Sequence, residues 1–358
     1  RKMKEKRINL SGGGTAGHVI VNLALIPYFL EKGWKVDYIG SYEGIERDLI
    51  REIEGVTYYP IATGKLRRYM SKENFKDPFR VIKGIMQSWN IIRKTKPNVI
   101  FSKGGFVSVP VVVAARFLRV PTIIHESDLT PGLANRLAAP FAKQMLTTFP
   151  ETVNYVKKKN VRYVGPIIRE ELFKGKKSIG DRLTKFPDEK PVLLIMGGSS
   201  GSQKINEAIR LLLPKLLTNY NIIHICGEGN IDETITKQGY SQFEYVKDEL
   251  KDLFAITDFV ISRAGANAIF ELLALQLPML LIPLSLGASR GDQIDNAASF
   301  QEKGIAHVLQ EENLSEESLL KAINELSKNK TTLKENMAKF NSRASRDEVI
   351  KLIKEIAK

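Results

Sequence analysis

The sequence predicts an α/β protein with two successive doubly wound domains, each a parallel sheet covered by helices on both faces. Short apolar strands alternate with helical segments at the spacing that such sheets require. The alternation breaks over residues 170–190, which we interpret as a linker, and then restarts. At 358 residues the chain also exceeds the length that one hydrophobic core usually supports.

The predicted strands of the first half are Ile8–Leu10, Lys35–Ile39, Val99–Ser102, Thr122–His125, Gln144–Thr147 and Val161–Val164, and its predicted helices are Val19–Lys32, Gly44–Glu52, Pro78–Arg93, Val109–Leu118 and Gly132–Ala138. After the linker we expect strands at Val192–Met196, Asn221–Cys226, Phe243–Val246, Asp258–Ser262 and Met279–Ile282, with helices near Lys204–Leu217, Leu250–Ala255, Ala266–Leu275 and Asp292–Lys303. The amphipathic segment Ser345–Ile356 can pack back on the first domain. We therefore place the first domain at residues 1–167, with the C-terminal helix at 343–358 packed on it, and the second domain at residues 168–342.

Positive charge is concentrated in the first domain. Residues 1–167 contain 28 Lys and Arg against 13 Asp and Glu, whereas residues 168–358 contain 26 against 27. A basic half predicts an anionic partner, which could be nucleic acid, a membrane surface or a phosphorylated substrate. The single cysteine, Cys226, allows no internal disulfide and fits a reducing compartment. Since no signal peptide and no apolar run of about 18 residues is visible, we expect no membrane span.

A basic segment at residues 65–96 has ten Lys and Arg against two Asp and Glu. Its large apolar residues at helical spacing are Phe79, Ile82, Met86, Trp89 and Ile92. One interpretation is a helix with a core-facing stripe and a solvated basic face. The other is a surface that lies on anionic lipid.

The chain is organised around the glycine-rich loop GGGTAGH at residues 12–18, which joins an apolar strand to a helix. Such a loop offers backbone N–H groups at the positive end of a helix dipole, which suits an anion or the polar groups of a sugar. The spacing is neither the dinucleotide fingerprint nor a P-loop. A tight turn without a ligand is the alternative.

Two further strand-to-helix turns lie in the second domain. In GGSSGS (197–202), Ser199 and the loop N–H groups can hold a phosphate, although a serine-rich helix cap is the alternative. In SRAGAN (262–267), Ala266 and Asn267 stand at the start of a helix, where N–H groups lack acceptors. Glu271 follows about one turn later and can accept hydrogen bonds from a ribose diol, or it is a solvated helix residue.

Polar groups also follow strands of the first domain, in SKGGF (102–106) and HESD (125–128). Since the carboxyl ends of parallel strands meet at one edge, these groups would face a cleft between the domains. No Asp-x-Asp pair and no Cys or His cluster with ligand spacing is present. We therefore expect no metal site and no cofactor.

The ordered motifs form a set along nearly the whole chain: GGGTAGH, SKGGFVSVP, HESDLTPGLANR, GPIIR, MGGSSGSQKIN, SRAGANAIFELLA and PLSLGASRGDQIDNA. This set resembles the MurG family, the bacterial peptidoglycan N-acetylglucosaminyltransferases of the GT-B fold. The resemblance implies two Rossmann-like domains facing a cleft. It also implies inverting, metal-free transfer of N-acetylglucosamine (GlcNAc) from UDP-GlcNAc to the C4 hydroxyl of undecaprenyl-diphospho-N-acetylmuramoyl-pentapeptide (lipid I). The product, lipid II, serves peptidoglycan biosynthesis, and the implied location is peripheral, on the cytoplasmic face of the cell membrane.

The resemblance also implies the residues that contact UDP-GlcNAc. They are Thr15, Ala16 and Gly17 for the transferred sugar, Arg169 and Ser199 for the diphosphate and nucleoside, the backbone near Val246 for uracil, Glu271 for the ribose, the N–H groups of Ala266 and Asn267 for the diphosphate or sugar, and Gln293 for sugar hydroxyls. The chain departs from the family at two of its sugar contacts. The family often has Asn at the position of Asp128 and Gln-Gln where this chain has Asp292-Gln293.

Inverting transfer needs a base for the incoming hydroxyl and donors for the departing diphosphate. His18 is our candidate base because imidazole titrates near neutral pH, and a purely loop-orienting role is its alternative. Glu126 and Asp128 are the other candidate bases. With an acceptor carried on lipid, we favour lipid contact for part of the basic segment, at Phe75, Phe79 and Trp89.

Three other functions stay open on the residues alone. A UDP-GlcNAc 2-epimerase of the same fold would need carboxylates and a histidine around the sugar C2. A non-catalytic nucleotide-sugar sensor would bind UDP-GlcNAc without releasing UDP. A nucleic-acid binder is disfavoured, because the charge excess is confined to one half and no nucleic-acid motif occurs. The expected partners are therefore UDP-GlcNAc, lipid I and an anionic membrane surface, without nucleic acid.

Overall fold

The computed structural model describes residues 5–64, 77–157, 160–198, 201–340 and 345–357. These residues form two compact units whose boundary lies between Ile167 and Ile168, and residues 345–357 belong to the first unit. Each unit is built on a parallel sheet flanked by helices. The predicted α/β fold class is confirmed.

In the described part of the first unit, seven strands form the sheet: β1 (Arg7–Ser11), β2 (Lys35–Ser41), β3 (Val56–Ile61), β4 (Val99–Ser102), β5 (Thr122–Glu126), β6 (Gln144–Thr147) and β7 (Val161–Tyr163). The helices between them are α1 (Gly17–Glu31), α2 (Ile45–Arg51), α3 (Asp77–Thr95), α4 (Ser108–Phe117) and α5 (Leu133–Ala138), with 3₁₀ turns at Ala139–Phe141 and Pro150–Tyr155. The order across the sheet is β3-β2-β1-β4-β5-β6-β7, and all pairs are parallel.

The described strands of the second unit form a six-stranded parallel sheet: β8 (Val192–Met196), β9 (Asn221–Ile225), β10 (Tyr240–Phe243), β11 (Phe259–Ser262), β12 (Met279–Leu281) and β13 (His307–Val308). Its helices are α6 (Lys177–Thr184), α7 (Gln203–Leu216), α8 (Leu250–Ala255), α9 (Ala266–Ala274), α10 (Asp292–Glu302), α11 (Glu316–Lys328) and α12 (Lys330–Met337), with 3₁₀ turns at Glu170–Lys174 and Glu311–Asn313. The strand order is β10-β9-β8-β11-β12-β13.

The last helix, α13 (Ser345–Ile356), belongs to the core of the first unit. Val349 and Ile353 are fully buried in the same cluster as Leu25 and Phe29 of α1. The Arg346 side chain also donates to the carbonyl oxygen of Ala24 at 3.0 Å. The amphipathic pattern of this segment is therefore used to cover the first sheet.

Strand order reverses at one place in each sheet. β1 lies between β2 and β4, and β8 lies between β9 and β11. In doubly wound sheets, ligands bind outside the carboxyl ends of the strands at such a reversal. Both glycine loops leave these two strands, so each stands at the switch point of its own unit.

Two expectations about local structure are wrong. The strand expected at Phe243–Val246 is β10 at Tyr240–Phe243, because pairing with β9 sets Tyr240 beside Ile222. Residues 170–190 are not a plain linker, since they contain the 3₁₀ turn and α6. Gly180 of α6 packs so closely on the Asp252 carbonyl of α8 that a Cβ would collide with it.

Helix α3 carries the apolar residues of the basic segment on two faces. Ile92 is buried, and Trp89 packs against the core cluster of the first unit that contains Ile100 and Val111. Trp89 is only partly buried there, so lipid contact by Trp89 stays a prediction. Phe79 is 74% exposed, and Ile82 and Met86 are also exposed. Phe75 lies outside the described residues.

Candidate active site

Two N–H groups of the first glycine loop are taken by protein acceptors. Gly13 N donates to the carbonyl oxygen of Gly104 at 3.3 Å, and Gly14 N donates to Oε2 of Glu46 at 3.1 Å. A carboxylate on Gly14 opposes the binding of an anion at the same place. The anion-binding interpretation of this loop is therefore the weaker one, and a neutral sugar fits it better.

The next residues of the loop leave donors for a ligand. Among the described residues, the N–H groups of Thr15 and Ala16 find no acceptor. Ala16 is the N-cap residue of α1 and Thr15 comes just before it, so the helix itself offers their N–H groups no acceptor. The expected sugar contacts at Thr15, Ala16 and Gly17 are compatible with this geometry.

His18 is oriented by the loop that it follows. Its Nδ1 lies 2.9 Å from the carbonyl oxygen of Gly13 and 3.1 Å from Oγ1 of Thr15. Because a carbonyl oxygen can only accept, the neutral ring carries its proton on Nδ1 and its lone pair on Nε2. This tautomer suits a base acting through Nε2. The same hydrogen bond also orients the loop, so both expected roles are compatible with the geometry.

Glu126, at the end of β5, accepts hydrogen bonds from its own turn. Its carboxylate accepts from Asp128 N, Gly132 N and Asn135 Nδ2, each at 2.9 Å. These donors hold a carboxylate that is 4% exposed. Glu126 therefore anchors the turn that carries the half-buried Asp128, and its role as a base stays a prediction.

A buried cation and a buried histidine lie beside this turn. Lys103 and His125 are almost fully buried, and neither ring nitrogen of His125 finds a partner among the described residues. Burial lowers the pKa of His125, and the charge of Lys103 adds to this effect. Burial also lowers the pKa of Lys103, while the charges of Glu126 and Asp128 oppose that change. Because its pKa is lowered, His125 is neutral at physiological pH.

In the second unit, Arg169 and Glu271 form a two-point ion pair. Nε and Nη2 of Arg169 donate to Oε1 and Oε2 of Glu271 at 2.9 and 3.0 Å. Burial raises the pKa of the Glu271 carboxyl, although the Arg169 guanidinium opposes the change. The structure thus brings together two residues that we assigned to neighbouring parts of the nucleotide. Glu271 keeps further lone pairs for a ribose diol.

The start of α9 is held by the side chain of Gln293. Its Oε1 accepts from Ala264 N at 3.2 Å and from Leu284 N at 3.1 Å. Its Nε2 then faces no acceptor among the described residues and remains a donor for a sugar hydroxyl. The N–H group of Ala266, the first residue of α9, likewise has no acceptor in the described chain. Asn267 follows it in the same helical turn.

The loop after β10 contains Val246 and, next to it in the chain, Tyr245. Tyr245 acts electrostatically on Arg169, so the two residues are near each other. The backbone of Val246 makes no hydrogen bond within the described residues. Its N–H and C=O groups can therefore read the edge of a base.

The second glycine loop is braced by Arg263. The Arg263 guanidinium donates to Ser202 Oγ at 2.8 Å and also to a carboxylate oxygen of Glu311. Lys204 pairs with the same carboxylate at 2.9 Å. Ser202 in turn caps α7. Arg263 is therefore a support of the loop, while Ser199 lies outside the described residues and its role stays a prediction.

Glu46 is a fully buried site residue that our sequence analysis missed. It lies in the predicted helix Gly44–Glu52 next to Arg47 and Asp48, and no motif singles it out. The available signal was the position of its turn after β2, the strand next to β1.

The described residues lack both a metal site and a membrane span. No group of His, Cys, Asp and Glu in them could hold a metal ion. None of their helices is both long and apolar enough to cross a membrane.

Comparison with known proteins identifies relatives along the whole chain. The family models for the glycosyltransferase family 28 N-terminal and C-terminal domains match residues 8–147 and 192–353. A relative from Oceanobacillus iheyensis is 61% identical over 353 residues, and one from Geobacillus thermodenitrificans is 57% identical over 354 residues. In both cases the match covers 99% of each chain. Both relatives are named UDP-N-acetylglucosamine–N-acetylmuramyl-(pentapeptide) pyrophosphoryl-undecaprenol N-acetylglucosamine transferase.

A solved structure supports the same assignment at the level of the fold. The crystal structure of MurG from Acinetobacter baumannii is similar with a TM-score of 0.75 and 22% identity, over 98% of this chain and 99% of that chain. This likeness confirms the expected GT-B fold class. With two family models that together span both units, the chain belongs to glycosyltransferase family 28.

Proposed function

We propose that the chain is an inverting glycosyltransferase that moves GlcNAc from UDP-GlcNAc to the C4 hydroxyl of lipid I, which gives lipid II for peptidoglycan biosynthesis. The observation that carries the proposal is the 61% identity, end to end, with a transferase named for this donor and this acceptor. The donors and acceptors at the two switch points supply the groups that the reaction needs.

The second unit binds the nucleotide part of the donor. The backbone of Val246 takes the uracil edge, and Glu271, held by Arg169, accepts from the ribose hydroxyls. Ala266 and Asn267 at the start of α9 meet the diphosphate, whose negative charge is favoured at a helix N-terminus. The amide nitrogen of Gln293 donates to the sugar, because its oxygen is already engaged by two backbone N–H groups.

The chemical step is a single displacement at the anomeric carbon. Nε2 of His18 takes the proton of the attacking hydroxyl, while Nδ1 stays bonded to Gly13. Charge that develops on the departing UDP is met by N–H groups of α9 and of the second glycine loop, with Arg169 beside them. These groups do the work of a chelated cation, so the proposed reaction needs no metal and no cofactor.

The first unit meets the membrane through α3 and α4, which pack against each other. Phe79, Ile82 and Met86 of α3 and Phe117 of α4 are between 56% and 74% exposed. Exposed cations accompany them at Arg80 and Lys83 of α3, at Arg116 of α4 and at Arg119 just after α4. Apolar side chains among cations suit an anionic lipid surface. The protein then works as a peripheral protein on the cytoplasmic face of the cell membrane, where lipid I is reached.

The test is the release of UDP from UDP-GlcNAc with and without a lipid I analogue, in the presence of EDTA. We expect UDP release that requires the acceptor, matches a β-1,4-linked product in amount and ignores the chelator. Epimerised UDP-sugar without acceptor would identify an epimerase instead. Tight binding of UDP-GlcNAc without UDP release would identify a sensor.

A further inference from the structure

We propose that Glu46 is a positioning residue that fixes the first glycine loop and makes it select a neutral sugar group over a phosphate. The inference rests on the proposed function, since the group at this loop is taken to be a sugar. No sequence motif marks Glu46.

The Glu46 carboxylate ties two strand ends together from a fully buried position. Its Oε2 accepts from Gly14 N at 3.1 Å, and its Oε1 accepts from Ser41 N at 2.9 Å and from Ser41 Oγ. Gly14 follows β1, and Ser41 ends β2. Within the described residues its hydrogen-bond partners are N–H and O–H groups, and none is a cation. No described cation is therefore hydrogen-bonded to this carboxylate where it meets the loop.

The chain keeps a space for this carboxylate. The atoms nearest to a Cβ built at Gly13 all belong to the Glu46 carboxyl group, and a Cβ at Gly44 would collide with it too. Tyr38 braces the loop from the other side, since its hydroxyl donates to the carbonyl oxygen of Gly12 at 2.6 Å. A buried acceptor with this fit holds Gly14 in one place, and through it the following residues, Thr15 to His18.

The same carboxylate changes which ligand the loop prefers. A helix N-terminus attracts anions with about half a positive charge. A full negative charge, one hydrogen bond behind Gly14, outweighs that attraction at short range. The N–H groups of Thr15 and Ala16 can then serve hydroxyl or amide oxygens, whereas a phosphate is repelled.

The test compares Glu46→Gln with Asp48→Asn, which removes an exposed carboxylate from the same helix. Inorganic diphosphate is titrated into the full-length protein while the amide signals of Thr15 and Ala16 are followed by NMR. We expect the Glu46→Gln variant to bind diphosphate at this loop at least about fivefold more tightly than the wild type. The Asp48→Asn variant should bind as the wild type does. Equal affinity in all three proteins would overturn the selectivity.

A second variant separates the charge from the positioning. Glu46→Asp keeps the charge but withdraws the oxygen from Gly14. We expect faster hydrogen exchange in a peptide spanning residues 11–18 and a lower kcat, with little change in the KM for UDP-GlcNAc and no gain in diphosphate affinity. Wild-type exchange in this variant would overturn the positioning role, and the measurement stands even if Glu46→Gln does not fold.

The exchange and diphosphate measurements need no sugar transfer. A wild-type protein that makes no lipid II would therefore refute the proposed function and leave the result on Glu46 standing. Conversely, normal lipid II synthesis together with wild-type exchange and diphosphate affinity in both variants would refute the role of Glu46 alone.

Discussion

Arg169 and Glu271 lie 102 residues apart in the chain and meet through two parallel hydrogen bonds of 2.9 and 3.0 Å. The pair joins the start of the second unit to the first turns of α9, the helix that we propose to hold the diphosphate. Both side chains are largely buried, so the loss of either partner would leave the other as a buried, unpaired charge.

Removing one partner of this pair should destabilise the protein. Arg169→Met leaves the Glu271 carboxylate buried and unpaired, and we expect a loss of about 3 kcal/mol in the free energy of unfolding. The loss should be smaller at pH 5 than at pH 8, because burial raises the pKa of Glu271 and the lone carboxyl can become neutral. Urea denaturation at the two pH values measures both effects.

The control for that change is Arg162→Met, which removes an ion pair with Glu348 whose side chains are 50% and 39% exposed. An exposed pair contributes about 1 kcal/mol or less. Equal losses of unfolding free energy in the Arg169→Met and Arg162→Met variants would contradict the claim that burial makes the Arg169–Glu271 pair more important for stability.

The pair of Arg263 and Glu311 should make stability depend on pH. Burial alone would raise the pKa of Glu311, but hydrogen bonds from Lys204 and Arg263 more than offset it, so the pKa is lowered. Because folding lowers this pKa, the Glu311 carboxylate stabilises the fold at pH values above its ordinary pKa of about 4.3. This stabilisation is lost as the pH falls through the pKa of the folded state. Glu311→Gln should therefore cost stability at pH 7 and cost progressively less below pH 4.

Urea midpoints from pH 3 to pH 7 measure this difference. The matched control is Glu312→Gln, which changes the exposed neighbour of Glu311 in the same 3₁₀ turn. A Glu311→Gln defect that is the same at every pH would show that the ion pair is not its source.

Loss of the proposed base should lower turnover more than binding. His18→Ala removes the Nε2 lone pair, and we expect kcat to fall by about a hundredfold or more with little change in the KM for UDP-GlcNAc. His307→Ala, which removes a half-buried histidine of the second unit, serves as the control. A near-normal kcat in the His18→Ala variant would leave His18 with only its loop-orienting role.

Apolar residues of α3 should control binding to lipid. In vesicles with anionic lipid, Phe79→Asp and Met86→Asp should weaken binding strongly, since each replaces exposed apolar surface by a charge that anionic lipid repels. Leu211→Asp makes the same change at a residue of α7 that is 65% exposed in the second unit, and should have little effect. Co-sedimentation at two salt concentrations measures this. Binding that depends on neither the salt concentration nor the lipid charge would contradict the proposal that α3 contacts anionic lipid.

Much of the secondary structure could be predicted because its signals are local. Strands β1, β4 and β8 are short apolar runs that end in glycine turns, and such runs need no knowledge of their partners. β3 was missed since it contains Pro60 and few aliphatic residues, which an edge strand tolerates. The displaced strand at β10 shows the same limit, because its position is decided by pairing with β9.

Only those residues of the candidate site that belong to a recognisable motif could be predicted from the sequence. Ser199 lies outside the described residues. The other residues named for UDP-GlcNAc lie in loops, in turns or in the first turns of helices, and their roles remain predictions. Arg263 was seen as part of a turn, but its guanidinium supports Ser202 and Glu311. Glu46 was not seen at all, since one glutamate in a short polar helix carries no pattern.

The sequence by itself determined the two parallel sheets, the glycine loops at their strand ends and the family, because periodicity and motifs are properties of neighbouring residues. The tertiary structure alone decided which distant groups meet, such as Gly14 with Glu46 across 32 residues and Arg169 with Glu271 across 102. The physical reason is that these contacts depend on the order of strands in a sheet. Strand order is settled by long-range packing and hydrogen bonding, which no local stretch of the chain encodes.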